Sequence, residues 1–220
     1  MIGVFTPYMR NLIYQRMERQ IFVEELRRQS EITWDIVVIG GGATGLGIAL
    51  DGASRGYKTL FLEQSDFAKG TSSRSTKLVH GGVRYLEQGD LALVVEALHE
   101  RGLMLKNAPH LTCNQEFVIP IYNLWDAFLY TAGLKFYDLL AGPLSMGKSF
   151  FINSEKTLTR LPTIKPKGLI GGVVYHDGQF DDSRMTIALA QSCIDSGGTV
   201  LNYIEVSGLL KNEKGKICGV

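Results

Sequence analysis

The run Trp34-Asp35-Ile36-Val37-Val38-Ile39-Gly40-Gly41-Gly42-Ala43-Thr44-Gly45 constrains the fold more than any other stretch of this chain. Trp34 to Ile39 is a short, β-branched apolar run that ends in glycine, the pattern of a strand buried on both faces of a parallel sheet. Residues 43–55 then read as a helix and Lys58 to Glu63 as a second strand. Strand, glycine turn, helix and strand within about 30 residues make a βαβ unit, which closes right-handed and needs helices over its faces. The expected fold class is α/β, with a Rossmann-type βαβ unit on a parallel sheet.

The glycines carry the first chemistry. In the GxGxxG pattern of residues 40–45, Gly40 permits the tight turn, Gly42 lets backbone approach a pyrophosphate, and Gly45 lets the helix pack against the sheet. The helix start, with Ala43 and Thr44, adds N–H donors and a partial positive charge. Glu63, followed by Gln64, ends the second strand roughly 20 residues past the turn, where a carboxylate accepts from adenosine ribose hydroxyls and repels a 2′-phosphate. NADP is therefore disfavoured. FAD and NAD stay equally open on these residues, because both carry the same ADP half. Glycine clusters also serve ordinary turns, and the βαβ context is what favours a dinucleotide.

Composition removes other classes. The 220 residues carry 23 Lys+Arg against 22 Asp+Glu, a net charge of +1, so the global positive field of a nucleic-acid binder is missing. Cys113, Cys193 and Cys218 form no CxxC pair and are odd in number, which argues against a disulfide framework or a zinc site. His99, His110 and His176 lack partners at metal-ligand spacing. No apolar run of membrane-spanning length occurs. The first 30 residues hold five arginines but also Glu18, Glu24 and Glu25, which favours a surface helix over residues 9–29 rather than an acid-poor transit peptide.

Beyond the βαβ unit, a hydroxyl-rich, cationic stretch (residues 70–77) leads to a Gly81-Gly82 pair. Asp90 is placed to cap a helix whose apolar face is Leu91, Val94, Val95, Leu98 and Leu105. Residues 124–140 read as an apolar helix, a core or interdomain element before a membrane contact. A strand is expected near Gly172 to Tyr175, a helix from Asp182 to Ser196 with Asp181 or Asp182 at its cap, and a strand from Thr199 to Val206. Asn212 to Lys216 reads as a turn, and Ile217 to Val220 as a returning strand cut short, which suggests a truncated chain. The expected organisation is a helical extension (residues 1–33), a cofactor-binding βαβ unit with its ligand loop (34–110), part of a substrate domain (111–180) and a return to the cofactor domain (181–220).

The stretch GTSSRSTKLVHGGVRYLEQG from Gly70 to Gly89, following VIGGGATGLGIALDGASRGYKTLFLEQSDF, resembles the FAD-dependent glycerol-3-phosphate dehydrogenases. ERGLMLKNAPHL and YHDGQFDDSRM extend the resemblance from Trp34 to Val220, leaving residues 1–33 outside it. It implies a glutathione-reductase-like FAD-binding fold, with Gly40, Gly42, Ala43, Thr44 and Gly45 at the pyrophosphate and Glu63 and Gln64 at the ribose. Thr71, Ser72, Ser75 and Lys77 would run past the pyrophosphate towards the flavin, and the backbone of Val206 would meet the adenine. Arg84 and Tyr85 resemble the substrate-side pair, Arg84 holding a phosphate, and His80 resembles a histidine near the flavin. The implied reaction oxidises sn-glycerol 3-phosphate to dihydroxyacetone phosphate, with electrons passed to quinone or another acceptor such as oxygen. The implied setting is cytoplasmic, allowing a peripheral place on the membrane surface and a homodimer. The general base is expected beyond residue 220, and the fragment alone is expected to bind FAD poorly and be inactive. The alternatives from other classes are a 2-hydroxy-acid or amine oxidase of the same fold, an NAD-only dehydrogenase, and a non-catalytic dinucleotide-binding fragment.

Overall fold

A computed structural model describes residues 20–24, 26–27 and 33–220. In chain order the elements are β1 (Ile36–Ile39), α1 (Ala43–Ser54), β2 (Thr59–Leu62), β3 (Leu78–Val79), α2 (Val83–Glu87), α3 (Leu91–Asn107), β4 (Thr112–Ile121), α4 (Leu124–Ala141), β5 (Phe150–Asn153), α5 (Ser154–Arg160), β6 (Gly171–Phe180), α6 (Asp182–Asp195), β7 (Thr199–Leu201), β8 (Leu210–Lys211) and β9 (Ile217–Gly219), with 3₁₀ turns at Thr71–Ser73 and Gly142–Leu144. They fall into two compact units. Unit one comprises the chain up to Arg74 and Asp182–Val220, and unit two is Ser75–Asp181.

Unit one is built on a parallel sheet of order β1-β2-β7, with Val38 opposite Phe61 and Leu62 opposite Leu201. Every residue of the central strand β2 is buried. That is why its sequence is continuously apolar rather than alternating. On one face Val38 and Phe61 meet Leu46, Ala49 and Ala53 of α1 and Ala190 and Cys193 of α6. Burial pushes the Cys193 thiol pKa up, as befits a packing residue. On the other face Leu60, Leu62 and Leu201 are covered by Phe22, Val23, Leu26, Trp34, Ile204 and Val206. The helix expected over residues 9–29 lies partly outside the described residues. Its described part is helical and lays the Phe22, Val23 and Leu26 edge on the sheet.

The strand expected from Thr199 to Val206 stops at Leu201. Tyr203 takes a positive φ of 55°, and the Tyr203 and Ile204 N–H groups donate to the carbonyls of Ser65 and Glu63 at 3.1 and 2.9 Å. The chain therefore bends over the end of β2, and this local bonding outcompetes strand extension. The terminal hairpin β8-β9 closes through Asn212 and Gly215.

Unit two is an antiparallel sheet of order β3-β6-β4 in which β5 also pairs with β6. The strand expected near 172–175 is the first half of a ten-residue strand, and β4 pairs with it along its whole length, from Thr112 opposite Phe180 to Ile121 opposite Gly171. The polar residues Asn114 to Glu116 and Pro120 conceal β4 from a local reading. Asp90 caps α3 by accepting from Leu93 N–H at 3.1 Å, and Asn123 caps α4 by accepting from Asp126 N–H at 2.7 Å. Val94 and Leu98 pack against Tyr137 and Ala141. Leu91 and Val95 are exposed instead, and the buried face of α3 continues through Arg101 and Gly102. Among the described residues no helix is long and apolar enough to cross a membrane.

Candidate functional site

Where β1 gives way to α1, unit one holds a cavity of about 950 Å³ lined by Gly40 to Gly45, Glu63 to Asp66, Lys69 to Ser72, Arg74 and Asp182. Gly40 has φ of 114°, a conformation open to glycine and costly for other residues. A Cβ at Gly45 would fall on the Gly40 carbonyl oxygen and touch the Phe61 ring. These two positions are glycine because the turn itself needs them. Gly42 differs: its added Cβ would meet nothing nearer than Ser72 Oγ, at 3.8 Å. The protein leaves that space open, as a turn that lets a phosphate approach its backbone requires.

The helix start is equipped for an anion. Gly42 at the N-cap brings no side chain, and the first turn of α1 carries no acidic residue. Ala43 N–H donates to Ser72 Oγ at 3.2 Å, which ties the hydroxyl-rich turn to the helix. Lys69 and Arg74 add cations to the lining. At the end of β2, Glu63 Oε2 accepts from Gly41 N–H and Oε1 from Ser65 N–H at 2.7 Å. A carboxylate has about four acceptor positions, so the two bonds fix its orientation and leave capacity for ribose hydroxyls. Gly41 belongs to this device, since a Cβ there would lie 2.6 Å from Glu63 Cγ.

Glutamine at 63 would keep the volume but turn an NH₂ towards one of the two backbone donors. The loss of one charge-assisted bond is about 1.5–3 kcal/mol. Glu63→Gln is thus expected to weaken FAD binding by about 10- to 100-fold, measured by quenching of flavin fluorescence on titrating apoprotein. Unchanged affinity would remove Glu63 from the site.

Unit two carries a separate cavity of about 430 Å³ lined by Thr76, Leu78, His80, Gly82, Val83, Tyr85, Phe117, Tyr175 and Asp177. His80 Nδ1 accepts from Gly82 N–H at 3.1 Å. That bond assigns the proton of the neutral ring to Nε2, the other nitrogen. Gly82, at φ of 73°, is the N-cap of α2, which carries Tyr85. Phe117 and Tyr175 stack at 5.3 Å between ring centroids, and burial, then the Asp177 charge, raise the Tyr175 pKa. Arg84 lies on α2, but its side chain is outside the described residues.

Gly40, Gly42, Ala43, Thr44, Gly45, Glu63, Gln64, Thr71 and Ser72 thus come together around the unit-one cavity. Ser75 and Lys77 belong to unit two. Lys77 has φ of 61° and its Nζ stands 3.5 Å from Asp181 Oδ1. Val206 joins the core cluster of Leu60, Leu62 and Leu201. Asp182 begins α6 and lines the unit-one cavity. Among the described residues no group of His, Cys, Asp and Glu has the arrangement of a metal site.

The first cavity defines a class, an adenine-dinucleotide-binding α/β unit with its glycine turn between β1 and α1. Residues 35–220 match the family described as FAD dependent oxidoreductase, and the chain belongs to that family. It is 45% identical over 194 residues to the mitochondrial glycerol-3-phosphate dehydrogenase of Saccharomyces cerevisiae, covering 84% of this chain and 30% of that protein. The corresponding Schizosaccharomyces pombe protein is 42% identical over 223 residues, covering 98% of this chain and 34% of that one. This last likeness reaches into residues 1–33, which the family resemblance had left out. The X-ray structure of glycerol-3-phosphate dehydrogenase from Bacillus halodurans, complexed with FAD, matches at 33% identity with a TM-score of 0.60, over 84% of this chain and 29% of that one. The chain spans about a third or less of the length of these relatives.

Proposed function

We propose that this chain supplies the FAD-binding unit and part of the substrate side of an enzyme that oxidises sn-glycerol 3-phosphate to dihydroxyacetone phosphate. The observation that carries the reading is the His80-Gly81-Gly82-Val83-Arg84-Tyr85 turn against a cavity in unit two, in a chain of the FAD dependent oxidoreductase family. The 45% identity to a glycerol-3-phosphate dehydrogenase supports it.

The fit of the cofactor rests on the open space at Gly42 and the remaining acceptor positions of Glu63. Backbone N–H groups of Gly42 to Gly45 would bind the pyrophosphate, Glu63 the adenosine ribose, and Thr71 and Ser72 the groups beyond. When bound, FAD supplies a two-electron acceptor for the hydride of the alcohol carbon. The chain's own residues bind and orient the alcohol. Arg84 is suited to the phosphate, because a guanidinium presents a fork of donors to an anion. His80 holds its proton at Nε2 while Nδ1 accepts from Gly82, so it donates a hydrogen bond to a substrate oxygen rather than removing a proton.

The finer reading passes electrons to quinone or another acceptor at a membrane surface. α4 supports it, since Leu124, Trp125, Phe128 and Leu129 are all more than half exposed. Such a face suits a peripheral contact.

The experiment is dye-coupled turnover by the protein expressed from its complete reading frame and loaded with FAD. Sn-glycerol 3-phosphate is expected to turn over, with glycine and 2-hydroxyglutarate at background. Preference for either of those two substrates would overturn the assignment.

A further inference from the structure

We propose that Arg101, Tyr137 and Asp177 form a buried positioning network that fixes the His80-Gly81-Gly82 turn, and through it His80 and Tyr85, for oxidation of the substrate. The inference rests on the functional reading above and adds to it three residues from α3, α4 and β6.

Asp177 lies at the centre. Its Oδ1 accepts from Arg101 Nη1 at 2.7 Å, with the two side chains 4% and 2% exposed. Its Oδ2 accepts from the Tyr137 hydroxyl at 3.0 Å. The Arg101 guanidinium carbon stands 5.7 Å from the Tyr137 ring centroid. Beyond these partners and its neighbour Gly178, the carboxylate accepts, among the described residues, from one further group, Gly81 N–H, at 3.3 Å. That donor is the middle residue of the turn.

Gly81 also has no freedom of its own. A Cβ there would collide with Leu98 and with the Tyr137 hydroxyl, so the turn is seated directly on the network. On one side of it His80 accepts from Gly82 N–H, and on the other Gly82 caps the helix that carries Tyr85. Asp177, His80, Gly82 and Tyr85 line the same cavity. A buried ion pair is about neutral for stability against apolar groups of equal volume, so stability alone does not explain three polar side chains in this place. Holding one loop N–H at a fixed point does. Burial, then Asp177, raise the Tyr137 pKa far above the ordinary phenol range, which keeps the hydroxyl a donor at neutral pH.

Tyr137→Phe removes the hydroxyl and keeps the ring, so the fold is retained. Two measurements on the FAD-loaded protein from the complete reading frame decide the matter. In hydrogen exchange, the peptide containing Gly81 and Gly82 is expected to open about tenfold more readily, the worth of one lost hydrogen bond, with the thermal midpoint changed by only a few degrees. Unchanged exchange there would overturn the pinning. In stopped flow, the limiting rate of flavin reduction by sn-glycerol 3-phosphate is expected to fall about tenfold or more, with FAD content unchanged. In a His80→Gln background the same substitution should cost less than about twofold, because both act on one step. A rate within twofold of wild type, or an equal loss in both backgrounds, would overturn the positioning role. A wild-type protein that sn-glycerol 3-phosphate does not reduce would overturn the substrate reading and with it the network's part in that reaction, while exchange still reports the pinning.

Discussion

Alanine at Gly45 is expected to abolish flavin retention. The added Cβ falls on the Gly40 carbonyl oxygen and lies 3.3 Å from the Phe61 ring. A main-chain oxygen cannot swing aside as a side chain can, so the turn and the first turn of α1 must move apart. Crowding of this kind costs about 1–3 kcal/mol in stability. The loss in binding is larger, because backbone donors displaced by about 1 Å no longer converge on a phosphate. FAD affinity should fall by about 100-fold or more, read as flavin absorbance per protein after purification. Gly47→Ala in the same helix is the control. Nothing lies within 4 Å of its added Cβ, so it should hold FAD normally and gain about 0.5–1 kcal/mol from helix propensity.

Removing the Asp177 side chain should produce the largest fall in stability. Arg101 is 1% exposed, and its Nε already has no hydrogen-bond partner among the described residues. Asp177→Ala would leave that charge buried and uncompensated, at a cost of about 3–5 kcal/mol. In a chain of this size each kcal/mol moves the thermal midpoint by about 2–4 °C, so a fall of roughly 6–20 °C is expected by calorimetry. Arg101→Met combined with Asp177→Leu should recover much of it, since apolar groups replace a buried pair at little cost. If the double variant is as unstable as the single one, packing and not charge explains the loss. The recovered double variant still lacks the acceptor for Gly81 N–H, which separates stability from positioning.

The βαβ unit was legible because its signals are local. β1 and β2 are short apolar runs, Gly40 to Gly45 have fixed offsets, and Glu63 follows at a distance set by one helix and one strand. Gly40 to Gly45 and Glu63 line one cavity. β4 was not legible, because its stability comes from pairing with a strand far along the chain rather than from its own polar sequence. The strand expected to run from Thr199 to Val206 is shorter for a similar reason, ending where Tyr203 and Ile204 find acceptors at Ser65 and Glu63. The Arg101, Tyr137 and Asp177 network joins residues separated by 76 and 40 positions, a meeting that depends on the tertiary fold. One signal for it was present. Arg101 sits three residues after Leu98 and four before Leu105, on the apolar face of its helix, and a charge there calls for a buried partner.

The most direct test is competition for the unit-one cavity. FAD titrated into apoprotein expressed from the complete reading frame should bind with its fluorescence quenched, and 5′-ADP should displace it. Adenosine 2′,5′-bisphosphate should compete at least about tenfold less well, because Glu63 in its proposed place at the ribose would repel a 2′-phosphate. Failure to bind FAD, or equal competition by the two nucleotides, would contradict the assignment of this cavity to the ADP half of FAD.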